Sequence, residues 1–388
     1  MTFKNDAASA QGGFDHVPRT RLIYGEGTSE SAGERARELG GARILLVTDP
    51  GIVRAGHAEG VISSIERAGL KAHLYDRARE NPTTRDVEEC VVAARAAQAD
   101  LLIGLGGGSS MDTAKGCNFI LTNGGRMKDY WGVGKATRPM LPLIAIPTTA
   151  GTGSECQSAA LIADESTHQK MACLDPKAAA RVAILDPRLT LSQPPRVTAC
   201  TGLDALAHAL ETAVATQRNA ISIIYSREAF RLCGEAFEKV LRSPGDLAAR
   251  GRMLLGAAFA GTAIENSMLG AAHAAANPLT AHHNIIHGHA VGMLAAAVVE
   301  WNSADPDAAA GYLELARAAH LAGVQDLVRL IRASFQLSGL PSTLKACGVP
   351  EHSLPGLADE AASQWTVRFN PRPAASADFL RLYQSIWS

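Results

Sequence analysis

The sequence predicts an α/β domain, built on a largely parallel sheet with helices on both faces, followed by an all-α domain. Three observations carry this. Over the first half, short aliphatic runs alternate with helical patterns. After Pro195 the chain becomes rich in Ala, Leu and Glu, and residues 201–299 place apolar side chains at three- and four-residue spacing. At 388 residues the chain is long enough for two ordinary cores. The change of character falls in residues 189–195, so the domains are assigned to residues 1–192 and 193–388.

Taken in order, ILLVTD (residues 44–49) is an aliphatic run that stops at Asp-Pro-Gly, as a strand does on entering a turn. A helical pattern over 61–68 follows, then the strand KAHLYD. LLIGL (101–105), PLIAIP (142–147), SAALIAD (158–164) and VAILDP (182–187) continue the strand series. The tail to Ser388 keeps the helical character, and neither an internal repeat nor a low-complexity linker interrupts it.

Composition excludes several classes. Apolar residues make up 47% and charged residues 19%, which suits a soluble globular protein rather than a disordered one. Lys+Arg is 37 against Asp+Glu 38, so nothing favours a nucleic-acid or membrane surface. MTFKNDAASAQGGFDH has no apolar run of a secretory signal. Residues 254–276 come closest to a membrane span, but Glu265, Asn266 and His273 are unfavourable in hydrocarbon. The seven cysteines form no CxxC pair and read as reduced thiols, so a cytoplasmic protein is expected.

LLIGLGGGSSMDTAKG (101–116) is strand, glycine turn and helix start, with the helix expected from about Ser110. Consecutive glycines let backbone N–H groups approach an anion, and the helix points its positive end at the same place, which suits a pyrophosphate. The run matches neither GxGxxG nor a Walker A loop, so taken alone it reads equally as a plain turn. IPTTAGTGSE (146–155) brings four hydroxyls that suit a nicotinamide half, or merely a polar turn. Asp49, at a strand end, suits an adenosine ribose and repels a 2′-phosphate; followed by Pro50 it also reads as a helix N-cap.

TGLDALAHALE (201–211) sets Asp204 and His208 four apart, on one helix face. LGAAHAAANPLTAHHNIIHGHA (269–290) supplies His273 and His287. A carboxylate with three imidazoles is a mixed O/N donor set that suits Fe(II) or Zn(II) better than Mg or Ca. Singly, each histidine reads as well as a structural or solvated one; the Asp-x3-His pair in an apolar helix is the stronger signal, because a lone buried carboxylate is costly.

These four motifs, in this order and at these separations, resemble the iron-containing (metal-activated) alcohol dehydrogenases, and the resemblance runs from about Val17 to the NPRP segment at 370–373. It implies an N-terminal NAD(P)-binding domain and a C-terminal metal-binding, catalytic domain. Carried over by position, the metal ligands are Asp204, His208, His273 and His287, holding Fe(II) or alternatively Zn(II). The cofactor contacts are Asp49, Asn81, Gly107, Gly108, Ser109, Asp112, Thr148, Thr149, Thr152 and Lys170.

One position departs from the pattern. The family often has a histidine four residues after the third ligand, where this chain has Asn277. An amide cannot take up a proton at neutral pH, so His283, expected one turn from His287, becomes the candidate proton relay, with water as the alternative. The reaction implied is hydride transfer between an alcohol and NAD, with NADP possible and NAD favoured by Asp49. A maleylacetate-reductase-like enzyme and a dehydroquinate-synthase-like lyase are the rivals. Intact ligands weigh against the first. The absence of Lys and Arg from both ligand segments weighs against the second. A small alcohol or aldehyde is the expected partner, and a homodimer the expected assembly.

Overall fold

The computed structural model describes residues 14–166 and 169–388. They form two compact units. One is Val17–Gln193; the other is Pro194–Ser388 with the described residues before Val17.

The first unit carries strands β1 (Arg21–Tyr24), β2 (Arg43–Val47), β3 (Lys71–Tyr75), β4 (Leu101–Gly106), β5 (Gly132–Val133), β6 (Leu143–Pro147), β7 (Ala159–Ala163), β8 (Lys170–Leu174) and β9 (Val182–Leu185). Its helices are α1 (Ala32–Glu38), α2 (Pro50–Arg54), α3 (His57–Arg67), α4 (Thr84–Ala96) and α5 (Gly108–Asn123). Six strands make a parallel sheet in the order β1-β9-β6-β4-β2-β3. Side chains alternate between its faces. Leu45, Val47 and Leu102 join one buried cluster with Met111 and Cys117, while Ile44, Leu46 and Ile103 join another with Val61 and Ile65. Helices therefore cover both faces, as the continuous aliphatic runs require. The chain steps outward from β2 to β3, then returns to lay β4 on the other side of β2. That reversal opens a crevice at the strand carboxyl ends between β2 and β4, the usual ligand position in such sheets.

SAALIAD does not extend this sheet. As β7 it pairs antiparallel with β8, and β5 completes a separate three-stranded sheet. The run's composition marked a strand; its partner came from a hairpin that composition does not reveal.

The second unit is helical: α6 (Pro195–Val214), α7 (Ala220–Arg242), α8 (Leu247–Glu265), α9 (Ala271–His283), α10 (His287–Asn302), α11 (Pro306–Ala318), α12 (Val324–Leu337), α13 (Leu354–Ser363) and α14 (Ser376–Ser385). From Gly202 to Val214 every residue of α6 is buried, including the face that carries Asp204, His208 and Glu211. Helix α10 lies against it through glycine. A Cβ on Gly292 would stand 2.9 Å from the Leu203 side chain, and one on Gly288 would collide with the Cys200 carbonyl. Among the described residues no helix is long and apolar enough to cross a membrane.

Candidate active site

In the α/β unit two loops meet at the end of the central strands. Helix α5 begins at Gly108, with Gly107 as its N-cap, two residues earlier than expected. The difference arises because glycine itself opens the helix. A Cβ on Gly108 would press to 2.9 Å on the Thr152 side chain, and one on Gly107 would lie 3.4 Å from Thr149. The Thr148 amide donates to the Gly106 carbonyl at 2.9 Å. The Thr149 hydroxyl is buried without a hydrogen-bond partner, and so is Oε1 of Glu155.

Buried charge holds the second loop. Lys115 is fully buried, and its ammonium donates to the Ser154 carbonyl (2.6 Å), the Ser154 hydroxyl (2.9 Å) and the Ala159 carbonyl (2.9 Å). That hydroxyl donates in turn to Asp112 Oδ1 at 2.9 Å. Burial raises the Asp112 carboxyl above its ordinary range, against the opposing pull of Lys115, the Ser154 hydroxyl and Lys170. Burial likewise pushes Glu155 up to about 7.

Asp49 lies two residues beyond β2 and caps α2: its Oδ1 accepts from the amides of Gly51 (2.8 Å) and Ile52 (3.2 Å). Its Oδ2 accepts from Ser110 at 3.5 Å, across the β2–β4 crevice. Ser109 lies half-buried in the first turn of α5, its carbonyl accepting from Thr113. Asn81 is exposed and left-handed (φ 52°) in the turn before α4, and Lys170 is exposed at the start of β8, close enough to Asp112 to act on its charge.

In the helical unit Asp204, His208 and His273 each bring one donor atom into a group spanning 4.8 Å, all three buried. Asp204 Oδ1 lies 3.5 Å from His208 Nε2 and 3.4 Å from His273 Nε2. The two imidazoles stack with centroids 4.7 Å apart. Asp204 Oδ1 and His273 Nε2 are buried without a hydrogen-bond partner. His287 adjoins this group, its ring centroid 5.3 Å from that of His273. Burial works against the Asp204 charge, yet His208, His273 and His287 hold its carboxyl well below the usual range. Burial lowers the proton affinity of His273, but the carboxylates of Glu211 and Asp204 outweigh it and carry the imidazole to about 9. The cluster is built to hold positive charge. A carboxylate oxygen and an imidazole nitrogen left unsatisfied in an apolar interior fit a divalent cation of the Fe(II) or Zn(II) kind.

The family described as iron-containing alcohol dehydrogenase matches residues 18–187, and its C-terminal counterpart matches residues 198–387. The chain belongs to the iron-containing alcohol dehydrogenase family. Among its relatives is the NAD-dependent methanol dehydrogenase of Bacillus methanolicus, 31% identical over 94% of this chain and 97% of that protein. A crystal structure of a 1,3-propanediol oxidoreductase superposes with a TM-score of 0.92 at 28% identity, covering 97% of this chain and 100% of that one. Sulfoacetaldehyde reductase from Bifidobacterium kashiwanohense, solved in complex with NAD+, gives 0.89 at 26% identity over 97% and 99%.

One expectation about His283 is revised. His283 is not one turn from His287 along a helix. It is the last residue of α9; Asn284 then turns left-handed (φ 54°), and His287 opens α10. The available signal was Asn284 directly after His282 and His283, a helix-ending pattern less marked than a glycine. Asn277 donates through Nδ2 to Gln364 Oε1 at 3.1 Å. The sequence reading also passed over Lys115 and Glu211. Glu211 lies three residues after His208, so a carboxylate on the ligand face of an apolar helix was the available signal.

Proposed function

We propose that this protein is a cytoplasmic, homodimeric alcohol dehydrogenase that interconverts a small alcohol and its aldehyde or ketone with NAD, NADP being a possible second cofactor. The reaction class, metal-dependent and NAD-linked, follows from family membership. The observation that carries the reading is the buried convergence of Asp204, His208 and His273, with His287 alongside. We assign these four residues as ligands of Fe(II), or alternatively Zn(II). When bound, such a metal supplies the Lewis acidity that makes an alcohol easier to deprotonate. The dinucleotide supplies the hydride acceptor.

Residues 1–192 are proposed as the cofactor domain and 193–388 as the metal-binding, catalytic domain. The amides at Gly107, Gly108 and Ser109, at the positive end of α5, suit the pyrophosphate. The orphan hydroxyl of Thr149, with Thr148 and Thr152 beside it, suits the nicotinamide half. Asp49 keeps Oδ2 for a ribose hydroxyl while Oδ1 caps its helix. Asp112 acts through Ser154, and Asn81 and Lys170 complete the proposed contacts. His283, or water in its place, carries the alcohol proton. If His283 does so, His283→Ala lowers kcat and removes a pH dependence near the imidazole range with metal content unchanged; an unaltered profile gives the role to water.

The test of the reading is a panel of alcohols and aldehydes, followed by NAD(P)H absorbance, on metal-loaded protein. Metal-dependent turnover is expected. His208→Ala and His287→Ala are expected to lose metal and activity while the α/β unit stays folded. Full metal stoichiometry in either variant would sink the ligand assignment, and turnover that ignores the metal would favour the metal-free maleylacetate-reductase type.

A further inference from the structure

We propose that Glu211 is the positioning residue of the metal site: it fixes both the tautomer and the placement of His273. The inference rests on the metal site proposed above. Helix α6 carries Asp204, His208 and Glu211 at spacings of four and three, so all three share one face. Glu211 is buried, and its two oxygens do different things. Oε2 contacts His273 Nδ1. Oε1 accepts from the backbone amides of Ala272 (2.6 Å) and, more weakly, His273 (3.4 Å) in the first turn of α9.

A carboxylate can only accept, so the neutral imidazole beside it must carry its hydrogen on Nδ1. The lone pair is then on Nε2, the atom that stands 3.4 Å from Asp204 Oδ1 without a hydrogen-bond partner. Such outer carboxylates hold the ring orientation of a ligating histidine and raise its basicity. The contact of Oε1 adds a second constraint. It ties the start of α9 to α6, so one side chain sets both how far His273 stands from the other ligands and which nitrogen it offers them. The space is close: a Cβ on Gly270 would lie 3.3 Å from Glu211 Oε1 and 2.7 Å from Asn370 Oδ1. Asn370 takes the neighbouring amide, Ala271, at 3.1 Å. It therefore shares the capping task without touching the imidazole, and serves as a built-in control.

Glu211→Gln separates the two roles. If the amide oxygen keeps the α9 cap, the amide NH2 faces Nδ1 and forces the hydrogen onto Nε2, which then cannot bind a metal. If the amide turns over, NH2 groups oppose backbone N–H groups. Zn2+ affinity is measured by competition with a chromogenic chelator, on protein stripped and reloaded. The tautomer is read by NMR on metal-free protein labelled with 15N-histidine, at a pH above the His273 titration so that the ring is neutral, the His273 signals being identified by their loss in His273→Ala. Glu211→Gln is expected to bind Zn2+ about 10- to 100-fold more weakly, with the His273 hydrogen displaced from Nδ1. Glu211→Ala, which introduces no misplaced donor, is the second variant and is also expected to weaken Zn2+ binding, while Asn370→Ala stays near wild type. Wild-type Zn2+ affinity in both Glu211 variants overturns the proposal. So does an Asn370→Ala loss as large as that of Glu211→Gln, which would reduce Glu211 to a helix cap. If His273→Ala itself binds Zn2+ like wild type, the metal-site reading falls instead.

Discussion

Asp49 divides its work between two oxygens, one fixed on the amides of α2 and one facing Ser110. The two readings of this residue are therefore compatible in space, and a substitution can part them. Glycine is a tolerated N-cap, costing only a few tenths of a kcal/mol relative to aspartate. Asp49→Gly should then leave stability nearly unchanged while removing the charge that repels a 2′-phosphate. The ratio of kcat/KM for NADP over NAD is expected to rise about tenfold or more, equivalent to ~1.4 kcal/mol. A wild-type preference for NADP, or an unmoved ratio, would leave Asp49 a cap and nothing else. At this scale legibility followed sequence distance. Asp204 and His208 could be paired from one helical turn. Lys115 could not be explained, because its acceptors, Ser154 and Ala159, lie 39 and 44 residues away.

Among the elements, the approach of α10 to α6 decides the proposed metal cluster, since α6 carries Asp204 and His208 and α10 opens with His287. Gly288 stands directly after that histidine, against the Cys200 backbone. Gly288→Ala must push the helices apart, an overpacking that typically costs ~1–3 kcal/mol. A Tm several degrees lower and a reduced metal content are expected, read by thermal denaturation and metal analysis. Gly60→Ala in α3, where an added Cβ meets nothing within 4 Å, should raise Tm slightly if it changes it at all. Equal behaviour of the two variants would mean that the α6–α10 contact is loose. Of the strands that were legible, β3 (KAHLY) is mixed, while β2, β4, β6, β7 and β9 announce themselves by aliphatic runs. β1 (RLIY) and β8 (KMACL) do not. They are short and mixed, and β1 becomes a strand by pairing with β9, far along the chain. The break between α9 and α10 was marked only weakly, by Asn284 after two histidines, since asparagine takes the left-handed cap less regularly than glycine.

For the whole molecule, each unit has its own buried core, so the division at residues 193 and 194 is a division of packing as well as of composition. Assembly was the least legible property, because the faces that meet in an oligomer carry no periodic signature. Two-fold assemblies are the commonest oligomers, and light scattering at micromolar concentration is expected to return twice the chain mass of 40.7 kDa. A monomeric mass would refute the homodimer.

The buried ammonium of Lys115 has a consequence beyond its hydrogen bonds to Ser154 and Ala159. It is held inside the fold by two oxygens of the second loop and one of β7. A loop anchored in this way has already lost its conformational freedom when the chain folds, at a cost of roughly 1–2 kcal/mol per residue for the backbone alone. Under the proposed assignment of Thr148, Thr149 and Thr152 as cofactor contacts, a dinucleotide would meet a rigid surface there, and its affinity would not be reduced by the ordering entropy that a mobile loop exacts. On that proposal the grip on the cofactor would be prepared in advance, by a lysine that the cofactor need never touch.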